Sequence, residues 1–173
     1  MKIGILGSGI VGQTLGSGFI KHTHQVKIGT GNPAKLNDWL SISGTNGSVG
    51  SFADAASFGE IIVLAVKGTA ALDVLGKAGK ETLKNKTVID TTNPIVELPP
   101  VNGVLQYFTR QNYSLMEELQ AKYPQANFVK AFSCVGNALM VNPNVGGQKP
   151  TMFIAGNDDG AKSQVKKILD TFG

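Results

Sequence analysis

Gly7-Ser8-Gly9-Ile10-Val11-Gly12 is the stretch whose residue types and spacing have the most chemistry to offer. Three glycines at this spacing, between a short apolar run and a helix-forming segment, suit the close approach of a backbone to a diphosphate. Gly7 permits a tight turn, Gly9 has no Cβ to hold a pyrophosphate off, and Gly12 lets a helix pack close to a sheet. The first amides of that helix find no partner within it and lie at the positive end of its dipole, which attracts an anion. Gly7, Ser8, Gly9, Ile10, Val11 and Gly12 are therefore candidate contacts to a dinucleotide.

A turn of this kind discriminates between NAD and NADP at the end of the next strand, about 20 residues on, where a carboxylate would bind the ribose diol. This chain has no Asp or Glu before Asp38. Thr30, Gly31, Asn32 and Lys35 stand there instead. A hydroxyl, a side-chain amide and an ammonium can hold a phosphate, and no carboxylate repels it, so NADP(H) is the favoured cofactor. The plainer roles are Asn32 as a helix cap and Lys35 as a solvated lysine.

In an open parallel sheet, ligands lie beyond the carboxyl ends of the strands, beside the point where strand order reverses. The remaining strand exits supply Ala65, Val66 and Lys67, then Asn93 and Pro94, then Val135, Gly136 and Asn137 as candidates for the nicotinamide half. No nucleophile-base-acid set accompanies them, and no catalytic residue is assigned. Hydride transfer between two rings needs proximity and orientation more than protein acid-base groups. Cys134 reads as a small buried residue, and His22 and His24 precede a strand at the end away from the ligand side.

The elements that must position these residues follow from periodicity. Met1–Leu6 is a buried strand, and Val11, Leu15 and Phe19 repeat at the spacing of one helix face. Residues 24–30 form a second strand, and Asn32-Pro33 opens a short helix through Lys35, Leu36, Trp39 and Leu40. A third strand near Val49 is short. Ser51-Phe52-Ala53-Asp54 has the pattern of a capping box, for a helix that Gly59 closes. The continuous apolar run Ile61–Val66 suits a central strand covered on both faces. A helix from about Ala70, a strand at residues 87–90, and a long aperiodic connection over 95–112 come next. A second capping box at Ser114–Glu117, a strand at 127–132, a strand at 151–155 and a helix carrying Ala161, Val165, Ile168, Leu169 and Phe172 complete the chain. Alternating strands and helices imply an α/β domain over residues 1–173 with a doubly wound, mainly parallel sheet between two helical layers.

Composition narrows the partners. Charged residues make up 16% of the chain, which suits a compact domain with a buried sheet. The net charge of +4 is spread over scattered lysines, with Arg110 the single arginine, so the clustered basic patch of a nucleic-acid binder is missing. A single cysteine offers neither a disulfide framework nor metal-ligand spacing, so no metal is expected. No signal peptide precedes the first strand and no apolar run approaches about 18 residues, so a cytoplasmic protein without membrane contact is expected.

Ile3–Gly12, Ile28–Pro33, Val88–Pro94 and Val129–Gly136, taken in that order, resemble the deazaflavin (coenzyme F-420)-dependent NADP reductase family. The same module is similar to the cytosolic part of six-transmembrane metalloreductases. The resemblance implies a Rossmann NAD(P)-binding fold, hydride exchange between NADPH and a deazaflavin, flavin or similar acceptor, and often a dimer. A non-catalytic module that binds or senses the dinucleotide beside a partner is the alternative. Gly31 stands where the family commonly has an arginine, and Ser133 where a His or Asn is frequent. The family usually continues beyond the position of Gly173 into a C-terminal extension, which this chain is expected to lack.

Overall fold

The computed structural model describes residues 1–173. Strand β1 (Lys2–Leu6) leads through the glycine turn into α1 (Ile10–Lys21), and β2 (Gln25–Gly29) returns beside β1. A 3₁₀ turn (Pro33–Leu36) and α2 (Asn37–Ser43) precede the short β3 (Gly47–Gly50). Then come α3 (Phe52–Phe58), β4 (Ile61–Leu64), α4 (Ala71–Ala78), α5 (Lys80–Leu83), β5 (Thr87–Asp90), α6 (Leu115–Lys122), β6 (Asn127–Lys130) and α7 (Asp159–Phe172). The six strands pair in the order β3-β2-β1-β4-β5-β6, and every ladder is parallel. Strand order therefore reverses between β1 and β4, where a crevice must open at the carboxyl ends.

The period of two along each strand feeds two cores. Ile61 and Val63 join the layer of α1, α2 and α7, while Ile62 and Leu64 join that of α3 to α6. Phe19 of α1 is fully buried, with its ring 4.8 Å from that of Phe172, so the last helix closes on the first. Burial of such a side chain stabilises by about 1.5–3 kcal/mol relative to leaving it exposed.

Local signals hold where hydrogen bonds are local. Ser51 and Asp54 form both halves of the capping box, and the bonds that the Asp54 carboxyl accepts from Ser51 Oγ and Ser51 N hold it below the usual carboxylate range. Ser114 accepts from Glu117 N, but no return bond from the Glu117 side chain completes a second box. Residues 95–112 have no regular element. They fold back on themselves through antiparallel bridges Ile95–Tyr107 and Val101–Val104.

Two expectations are corrected. Residues 151–155 are not a strand: a single antiparallel bridge, Lys130–Ala155, is all that forms. The reason lies in the partner, because Phe132 has φ +62° and turns the chain out of the sheet where Phe153 would continue the ladder. The same turn leaves Cys134 exposed, and Val135 packs against the core in its place.

Candidate functional site

The carboxyl ends of β1, β2 and β4 surround a cleft of about 590 Å³, within the usual range for a ligand site. Gly7 to Val11, Thr30 to Asn32, Lys35 and Ala65 to Lys67 line it, as do Phe52, Ala70 and Thr91. No carboxylate is among them, whereas Lys35 and Lys67 each bring an ammonium. Gly12 lies beneath, where a Cβ would stand 2.2 Å from Gly7 O, so its place is the contact between helix and turn.

The glycine turn is held from several sides. Gly7, at φ +129°, donates its amide to Gly29 O at 3.0 Å, and a Cβ there would meet Ala65 O at 2.2 Å. Gln13 Nε2 donates to Ser8 O at 2.8 Å. Thr30 Oγ1 donates to Ser8 Oγ at 2.8 Å and accepts from Asn32 N at 3.1 Å. Thr30 is buried, so its hydroxyl ties the first two strand exits together. Gln13 N is on Gly9 O at 3.0 Å, and the amides of Ile10, Val11 and Gly12 precede that first helical bond. A Cβ on Gly9 would meet nothing within 4 Å. The open space over Gly9, at the start of a twelve-residue helix, fits a diphosphate.

The end of β2 is free on its outer side. Asn32 occupies the N-cap position of the 3₁₀ turn, but its side chain makes no capping bond. Gly31 lies outside the left-handed region, with nothing within 4 Å of its absent Cβ, and Lys35 is exposed.

A second pocket, about 530 Å³, adjoins the cleft and shares Val66, Lys67 and Thr91 with it. Asn93, Ile95, Val96, Glu97 and Leu98 form its far side. Pro94 is half-buried beside it, and Val135, Gly136 and Asn137 line neither cavity. Asn93 Nδ2 donates to Ser133 O at 2.9 Å, which brings the exits of β5 and β6 together. His22 and His24 lie between α1 and β2, at the other end of the sheet.

Sequence reading missed two pairs. Lys67 Nζ meets Glu97 Oε2 at 2.8 Å, and Thr69 Oγ1 donates to Glu97 Oε1 at 2.9 Å. Both hydrogen bonds, with the Lys67 charge, hold the Glu97 carboxyl below the usual carboxylate range. The second pair is Asp90 with Lys130, at the ends of β5 and β6. Its signal was a charged residue closing the buried run Thr87–Asp90, with a lysine in register on the next strand.

Because the folded-state value for Glu97 is depressed, its tie to Lys67 is complete above the ordinary carboxylate range and is lost as pH falls through the lowered value. Both groups are well exposed, so the effect is local and weakened by salt. At constant pH, Glu97→Gln should speed hydrogen exchange at Val96 N, now bonded to Gln106 O, several-fold without moving the unfolding midpoint, and acidification should lower the protection factor of the same amide. Unaltered exchange there would show that the pair does not restrain the loop.

The family described as NADP oxidoreductase, coenzyme F420-dependent, matches residues 2–94, more than half of the chain. The chain belongs to this family. A candidate F420-dependent NADP-reductase from Arthrobacter sp. FB24 is 32% identical, with a TM-score of 0.92 over 100% of this chain and 81% of its own. A hypothetical protein from Sinorhizobium meliloti is 22% identical, with a TM-score of 0.83 over 100% of this chain and 81% of its own. A reductive aminase from Aspergillus terreus, solved with NADPH and ethyl-5-oxohexanoate, shares the fold at 16% identity and a TM-score of 0.71. This chain covers 52% of that one, with 99% of its own length matched. No curated protein matches the sequence. As a family member the chain is an NADP-dependent oxidoreductase of Rossmann-like α/β fold. No helix is long and apolar enough to cross a membrane.

Proposed function

We propose that this chain binds NADP(H) in the cleft over Gly9 and exchanges a hydride with a deazaflavin, flavin or similar planar acceptor in the adjoining pocket. One observation carries the reading: the two cavities share the wall formed by Val66, Lys67 and Thr91. Bound NADPH supplies the hydride. The unpaired amides at the start of α1 hold the diphosphate, and Asn32 with Lys35 holds the 2′-phosphate. Ala65 to Lys67, with Asn93 and Pro94, flank the nicotinamide half, and Val135 to Asn137 lie furthest along. Half-buried Val66 and Thr91 limit water at the shared wall. No acid or base needs to act, because orientation accounts for the step.

NADPH oxidation measured with deazaflavin, flavin mononucleotide and quinones tests the proposal, and turnover with a deazaflavin or flavin is expected. Binding of NADPH with no turnover on any acceptor would overturn it and leave a binding or sensing module that works with a partner. Lys35→Ala should weaken NADPH and leave NADH almost unaffected. A charge-assisted contact is worth about 1.5–3 kcal/mol, and exposure puts Lys35 at the lower end of that range through screening. Equal weakening of both cofactors would remove Lys35 from the 2′-phosphate site.

A further inference from the structure

The exit of β5 holds a buried charge that hydride exchange does not require. Asp90 is 0% exposed, and no other carboxylate is buried to that degree. Lys130, its register partner on β6, places Nζ on Asp90 Oδ2 and donates to Thr92 O at 2.8 Å. Asp90 Oδ1 accepts from Thr92 N at 2.9 Å. An apolar pair of similar volume would stabilise a sheet end as well or better. What the ion pair supplies is direction, because both backbone polar groups of Thr92 are fastened, its N–H by Asp90 and its carbonyl by Lys130. The fastening leaves Thr92 Oγ1 buried without a partner, so the side chain of Thr92 is not what chooses the geometry of this turn. The next residue is Asn93, which lines the second pocket and reaches across to Ser133 O.

We propose that Asp90 and Lys130 are a positioning pair that sets Asn93, and through it the wall facing the nicotinamide half of bound NADP(H). The inference rests on the hydride-exchange reading above. Neither residue touches cofactor or acceptor; both act through the Thr92–Asn93 backbone. A displaced wall permits a displaced ring, and a misplacement on the order of 1 Å can cost about a hundredfold in rate.

Three variants separate positioning from stability. Lys130→Met leaves Asp90 buried and unpaired, which should lower the melting temperature sharply. The double variant Asp90→Asn/Lys130→Met leaves no unpaired charge and should recover most of that loss. Lys130→Arg keeps a cation at the site. NADPH affinity by titration calorimetry should stay close to wild type in the double variant, since the diphosphate and 2′-phosphate contacts lie at other strand exits. The fluorescence enhancement of the bound dihydronicotinamide ring should be lost in the double variant and kept in Lys130→Arg. Single-turnover hydride transfer to a deazaflavin should fall about tenfold or more in the double variant.

Recovery of stability, fluorescence and hydride rate together in the double variant would overturn the proposal and leave the pair a merely structural role. Failure of the functional reading is distinguishable, because it shows as wild-type protein that turns over no acceptor. The fluorescence comparison then still decides whether the pair orients the ring.

Discussion

Gly9→Val should weaken dinucleotide binding severely and leave a folded protein. Gly9 has φ −73° and ψ 177°, an extended conformation that any residue adopts, and its absent Cβ faces open space. The substitution therefore strains nothing in the free protein. Its cost is that of a poorer N-cap residue, about 1 kcal/mol or less. The valine side chain instead fills the space over the first amides of α1, where the diphosphate would lie. A loss of about a hundredfold or more in NADPH affinity is expected, or about 2.8 kcal/mol. Gly7→Ala is the control with the opposite outcome. At φ +129° and with Ala65 O 2.2 Å from the new Cβ, it should damage the fold itself. Calorimetric titration and thermal unfolding on both variants read the two effects apart. Unchanged NADPH affinity in folded Gly9→Val would remove the cofactor from this turn.

Gly31→Arg should convert a modest preference for NADPH over NADH into a strong one. Guanidinium pairs with phosphate oxygens through two parallel hydrogen bonds and stacks flat on adenine, whereas Lys35 offers only a point charge. The backbone raises no obstacle, since Gly31 avoids the left-handed region and its Cβ position is open. The gain is about 1.5–3 kcal/mol for NADPH alone, reduced by screening at this exposed loop. Both affinities are to be measured at a low and a high salt concentration, and the NADPH advantage should shrink in the second. A ratio that stays put, or moves towards NADH, would show that the loop after β2 does not read the 2′-phosphate.

The sequence legible in this chain is the local part. Gly7, Gly9 and Gly12 announce a strand-turn-helix because φ, Cβ volume and helix amides are properties of a few adjacent residues. The Ser51–Asp54 box forms for the same reason, with both of its bonds spanning three residues. Periods of two and 3.6 identify buried faces, and short alternating elements leave few topologies other than the parallel order observed.

Residues 151–155 show where such reading stops. Their alternation is that of a strand, and Met152 and Ile154 do pack against the core. Whether a ladder forms depends on the partner, and Phe132 turns β6 away. Cys134 follows the same turn into solvent.

By itself, then, the sequence determined six of its seven expected strands, the glycine turn and the absence of a carboxylate at the end of β2, all carried by neighbouring residues. Only the tertiary structure decided the second pocket, the Lys67–Glu97 pair that lines it and the buried Asp90–Lys130 pair behind Thr92, whose partners lie 30 and 40 residues apart in the chain. Contacts at such separations depend on how crossovers close and how strands register, and no period or spacing along the chain encodes which side chains meet.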